Sequence, residues 1–104
     1  MNLFTDVTTT GVGIIEQVYS EREEGESVCI QVIGNTTAGA GSLVVAIEVS
    51  NNSTDWILAS NITLTLATTV ATDGIVINAP WKYIRAYPTT LTGTGAKASA
   101  ILNA

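Results

Sequence analysis

Seven residues toward the end of the chain, Trp81-Lys82-Tyr83-Ile84-Arg85-Ala86-Tyr87, concentrate the side chains best suited to recognising something. Strand alternation places Trp81, Tyr83, Arg85 and Tyr87 on one face and Lys82, Ile84 and Ala86 on the other. On the plain structural reading, one face fills the core and the other covers solvent. With Ile84 and Ala86 turned inward, Tyr83, Arg85 and Tyr87 form an exposed aromatic and cationic stripe. Tyr and Arg are enriched where binding energy concentrates at protein interfaces, so a subunit contact follows. The same aromatic faces and guanidinium can stack on sugar rings. Trp56, which opens its strand after Asp55, reads as a core plug.

Other chemistry is hard to assemble. The chain has no histidine, which removes the usual general base, the Ser–His and Cys–His dyads and a common zinc ligand. Gly11-x-Gly13 and Gly93-x-Gly95 precede strand-like sequence, not the helix a phosphate-cradling loop requires. No catalytic residue, cofactor site or metal site is expected, and an enzyme is not. The run Glu21-Arg22-Glu23-Glu24-Gly25-Glu26, with Glu16 nearby, lacks the Asp/Asn alternation of a calcium loop. It reads as a solvated acidic turn, or in functional terms as a hook for a basic patch on a partner. Cys29 stands alone inside an apolar run and is expected to be a buried, inert thiol.

These residues must be carried by strands. Leu43, Val45, Ile47 and Val49 alternate with Val44, Ala46 and Glu48, and Ile62, Leu64 and Leu66 alternate with Thr63 and Thr65. That period of two belongs to a sheet with one face in the core. Strands are expected over 13–20, 27–33, 43–50, 56–59, 62–67, 74–78, 81–87 and 97–102. Turn formers separate them at Glu24-Gly25, Gly39-Ala40-Gly41, Asn51-Asn52-Ser53, Asp73-Gly74 and Gly93-Thr94-Gly95. Pro80 and Pro88 are expected to bracket the aromatic strand. The expected fold is all-β: a single-domain antiparallel β-sandwich, jelly-roll-like, of about eight short strands. It occupies residues 11–104, and residues 1–10 read as an extended N-terminal arm.

Composition narrows the partners. Apolar residues make up 46% of the chain and charged residues 12%, half the usual charged share of about a quarter. Neutral surfaces rich in Thr, Ser, Asn, Ala and Gly are easily desolvated and suit repeated protein contacts. Four cations against nine carboxylates give a net charge of −5. That balance cannot displace phosphate counterions, so nucleic acid is not expected as a partner. It equally disfavours an anionic membrane surface, and no apolar run approaches the roughly 20 residues of a membrane helix. The first residues show no basic and apolar leader, so no signal peptide is expected.

Two stretches together resemble a known type of protein. One is Glu48-Val49-Ser50-Asn51-Asn52-Ser53-Thr54-Asp55-Trp56-Ile57-Leu58, a strand, a polar turn and a strand opening on Trp. The other begins at Ala79-Pro80-Trp81 and runs through the aromatic strand and a Thr/Gly turn to a small-residue strand ending near Ala104. Over residues 42–104 this is similar to the small β-sandwich structural proteins that tailed bacteriophages place on their virions. The resemblance implies a virion structural protein, foremost a capsid decoration or cement protein, made in the host cytoplasm. It implies self-association, often as a homotrimer, and contact with the major capsid protein or another virion protein. Head–tail and tail accessory roles belong to the same class. A carbohydrate-binding module using Trp81, Tyr83 and Tyr87 is the alternative from a different class. In the virion reading, Leu3 and Phe4 are the candidate contacts of the arm, which would add a strand to a neighbouring sheet.

Overall fold

The computed structural model describes residues 1–20, 27–77 and 81–103. The acidic run at 21–26 and Pro80 lie outside the described residues. Among the described residues seven strands form: β1 Asn2–Val7, β2 Val28–Asn35, β3 Ala38–Ser50, β4 Ile57–Leu66, β5 Ala71–Ile77, β6 Tyr83–Thr94 and β7 Lys97–Asn103. They make two antiparallel sheets, one ordered β1-β7-β2-β5 and the other β4-β3-β6. The fold is an all-β sandwich.

Its winding is that of a jelly roll, in which two four-stranded sheets are built from alternating pairs of strands. The position beside β6 that an eighth strand would take is held by the segment between β1 and β2. A strand was expected there over 13–20. Its described residues instead contain a short 3₁₀ turn, Val12–Ile14, and meet β6 only at a bridge between Tyr19 and Ile84 and at the Gly11 N–H, which bonds the Pro88 carbonyl. Its apolar residues, Val12, Ile14, Ile15 and Val18, do not alternate cleanly, and Val12 and Val18 remain exposed. Strand propensity without a buried face does not hold a ladder together.

The alternating rows do what their period requires. Leu43, Val45, Ile47 and Val49 of β3 and Ile62, Leu64 and Leu66 of β4 are buried against Val28, Ile30 and Val32 of β2. Two stretches read as separate strands, 56–59 and 62–67, are one strand: β4 absorbs an irregularity opposite Ile47 and Glu48, and Ala59 is the extra residue. Pro88 does not end the aromatic strand. It lies inside β6 where the β3–β6 register shifts, and its carbonyl accepts the Gly11 N–H at 2.9 Å. A residue without an N–H fits a bulge on an edge strand.

Residues 1–10 are not a free arm. β1 pairs with β7 in its own sheet, with Phe4 opposite Ala100, and Leu3 and Phe4 are both fully buried in the core. The register shift between Asn2 and Phe4 brings these consecutive side chains inside, which a strict period of two cannot do. The small side chains of Ala98 and Ala100 on β7, both buried, leave the space Phe4 fills. Cys29 also departs from expectation: it is exposed, on the outer face of β2. Its neighbours Val28 and Ile30 point inward, so the pleat turns residue 29 outward.

A candidate interaction face on the three-stranded sheet

On β6, Ile84 and Ala86 are buried, and Tyr83, Arg85 and Tyr87 point to the outer face of the β4-β3-β6 sheet, half-buried. Register places Glu48 of β3 directly opposite Arg85, and Leu58 of β4 opposite Glu48. The result is a row across three strands: an exposed aliphatic, a carboxylate and a guanidinium. Arg85 Nη2 lies 2.7 Å from Glu48 Oε1, and Arg85 Nε donates to the same oxygen at 2.8 Å.

Trp56 completes the cluster. The Arg85 guanidinium lies 4.1 Å from the centre of its ring and 5.8 Å from that of Tyr87. Trp56 was expected in the core and is half-buried on the outer face instead. A clue was available in the sequence: Glu48 and Trp56 flank one short turn, and Glu48 already falls on the polar side of β3. An indole that covers a cation needs no core, because the cation–π contact and its apolar edge both favour a half-buried site.

The turn that sets Trp56 in place is locked by its own side chains. Ser50 Oγ accepts the N–H groups of Asn52 and Ser53, each at 3.1 Å, and donates to Asn52 Oδ1 at 3.0 Å. Asn52 Oδ1 also accepts the N–H groups of Thr54 and Asp55, and Asn52 Nδ2 donates to Asp55 Oδ2 at 3.0 Å. Asn51 Oδ1 accepts the Lys82 N–H, tying the turn to the entry of β6. Asn52→Ala is expected to lower stability by about 1–2 kcal/mol in urea unfolding, because it removes the four side-chain hydrogen bonds that hold the turn together.

Electrostatics within the cluster shift one group. The Tyr87 phenol is held above its ordinary value of 10.0, first by burial, then by the Glu48 charge and a hydrogen bond to it, with Arg85 pulling the other way. The folded state therefore keeps this proton more tightly than the unfolded chain. The associated stabilisation is complete below pH 10.0 and is lost as pH rises through the raised folded value. In an absorbance titration of Glu48→Gln, the Tyr87 transition is expected to move down toward its ordinary position.

The structure does not bring Trp81 to this stripe. Trp81 precedes β6 and packs against the core, lining a cleft of about 430 Å³ with Val49, Ile57, Ile75 and Ile77. The register pairs Ile57 with Val49, on the core side of β4, yet 54% of Ile57 is exposed at this cleft; Leu58, on the outer face, is 53% exposed. Lys82 sits 5.4 Å from the centre of the Tyr83 ring. Leu3 and Phe4 are interior, as described, and contribute no surface. Among the described residues no three His, Cys, Asp or Glu side chains group to hold a metal ion, and no helix is long and apolar enough to cross a membrane.

The outer face of β4-β3-β6 is therefore a pre-set patch of Trp56, Tyr83, Arg85 and Tyr87, with Glu48 fixing the cation and Leu58 at its margin. In comparisons with known proteins, no family model, no curated protein and no solved structure matches the chain.

Proposed function

We propose that the protein is a structural component of a tailed-bacteriophage particle, a capsid decoration or cement protein that docks through the outer face of its three-stranded sheet. The virion assignment rests on the resemblance of residues 42–104. The observation that carries a protein contact is the Trp56–Arg85–Tyr87 stack pinned by Glu48. Trp, Tyr and Arg are the residue types that dominate interface hot spots, and here they already pack on one another before binding. Side chains already ordered in the free protein lose little entropy when a partner covers them. Exposed Leu58 adds apolar area at the margin of this face.

In this reading each copy adds a modest contact across a joint between capsid subunits, and repetition over the shell multiplies the effect. The chain is made in the host cytoplasm and carried in the virion, its partners being further copies of itself and the major capsid or another virion protein. Head–tail and tail positions use the same face and differ only in what lies beneath it. A glycan platform would need an open aromatic face, and Arg85 already lies over Trp56. The test is sedimentation of the protein with intact particles from its source, beside a glycan array. Banding with particles supports the proposal. Glycan binding that is lost in Tyr83→Ala and Tyr87→Ala, without particle binding, would replace it.

A further inference from the structure

The two sheets have four edges; among the described residues two, β1 and β6, are covered by the chain itself, and a third, β5, is guarded by a charge. On β1, the Thr5 N–H donates to Glu16 Oε1 at 2.9 Å and the Leu3 carbonyl accepts the Glu16 N–H at 2.9 Å. Along β6, Tyr19 and Ile84 exchange both main-chain bonds at 2.8 Å, and Gly11 caps the Pro88 carbonyl. β5 carries a charge, Asp73, whose Oδ1 accepts the Gly74 N–H at 2.8 Å. β4 is different. Its ten residues contain no charge and no proline, and among the described residues no group outside β3 bonds its main chain. A long, neutral edge with open N–H and C=O groups is a template for another strand.

We infer that β4 pairs antiparallel with β4 of a second copy, joining two three-stranded sheets into one of six strands. Charge selects the occupant. A chain of net charge −5 meets itself without repulsion only along a stretch that bears none. The other three edge strands carry Asp6, Asp73 and Arg85, and β4 carries no counterpart. A two-fold contact also requires a self-complementary surface. β4 has one: Asn61, Thr63 and Thr65 are exposed on one face, and Ile62, Leu64 and Leu66 are buried on the other. Centred on Thr63, the pairing sets Thr63 opposite its own copy and Asn61 opposite Thr65, cross-strand pairs that hydrogen-bond well. Ile62 then meets Leu64, and the aliphatic layer runs unbroken between the copies. The inference is independent of the virion assignment, and its unit is a dimer, where the resemblance implies a trimer.

Light scattering coupled to size exclusion reads the outcome. The wild-type chain is expected at twice its 10.8 kDa mass. Thr63→Lys and Thr63→Glu each place like charges directly opposite one another and are expected at the single-chain mass. Mixed in equal amounts, the two variants are expected to return to the doubled mass, as a Lys–Glu pair. Amide hydrogen exchange of the wild type supplies a substitution-free readout: β4 amides should be slower at high protein concentration than at low. A wild-type monomer or trimer, variants that stay paired, a mixture that fails to pair, or concentration-independent exchange of β4 would each overturn the inference.

Discussion

Phe4→Ala is expected to lower the unfolding free energy by about 3–5 kcal/mol, the range for truncating a buried aromatic in a packed core. Phe4 is fully buried and sits opposite the small Ala100, so its truncation leaves a cavity in the core. Against a total stability of about 5–15 kcal/mol for a domain this size, the loss is severe. Removing residues 2–7 altogether is expected to abolish folding, since it strips one edge strand from the four-stranded sheet and uncovers β7. For Phe4→Ala, urea unfolding distinguishes a core strand from an arm: the midpoint should fall with little change in slope. A variant that unfolds with the wild type and loses only assembly would restore the arm reading of residues 1–10.

The second large effect is on binding. Trp56→Ala or Arg85→Ala is expected to weaken attachment to particles by at least about 2 kcal/mol, roughly thirty-fold, as for a central hot-spot residue. Arg85→Ala also leaves the Glu48 carboxylate, 15% exposed, without its cation, so some of its effect will be on stability. The double variant Glu48→Gln/Arg85→Met separates the two contributions. It replaces a half-buried ion pair with neutral side chains of similar volume, a change that is often close to neutral for stability. The double variant is expected to unfold near the wild type and still to lose particle binding, because the guanidinium over Trp56 is gone. Normal binding by that variant would assign the ion pair a purely structural role.

Much of the fold was legible where the apolar period was strict. β3 and the second half of β4 follow the alternation of Leu43 to Val49 and Ile62 to Leu66, and each row is buried as that alternation requires. The reading failed where a bulge breaks the period. Leu3 and Phe4 are adjacent, so alternation assigns one of them to solvent, yet the register shift between Asn2 and Phe4 buries both. The irregularity near Ala59 split one strand into two readings. The segment at 13–20 had strand-forming residues but no clean buried row, and it bridges β6 only at Tyr19.

The candidate face was half legible for a related reason. Tyr83, Arg85 and Tyr87 share a face because β6 is regular there, and one strand suffices to see it. Glu48 and Trp56 join them through the β3–β6 register and the geometry of the Asn52 turn. Neither is encoded in local spacing. Trp81 shares their parity in sequence but precedes the strand, so its ring turns to the core. The exposure of Cys29 follows the same logic: in an apolar run that reads as wholly buried, only the pairing of sheets shows which side faces out.

The central claim, that the outer face of β4-β3-β6 seats the protein on a virion, is tested most directly by density-gradient sedimentation with intact particles from its source, comparing wild type with Trp56→Ala. The wild type is expected to band with particles at a regular number of copies, and folded Trp56→Ala to remain at the top of the gradient. Wild-type protein that stays at the top, or Trp56→Ala that bands equally well, would contradict the account.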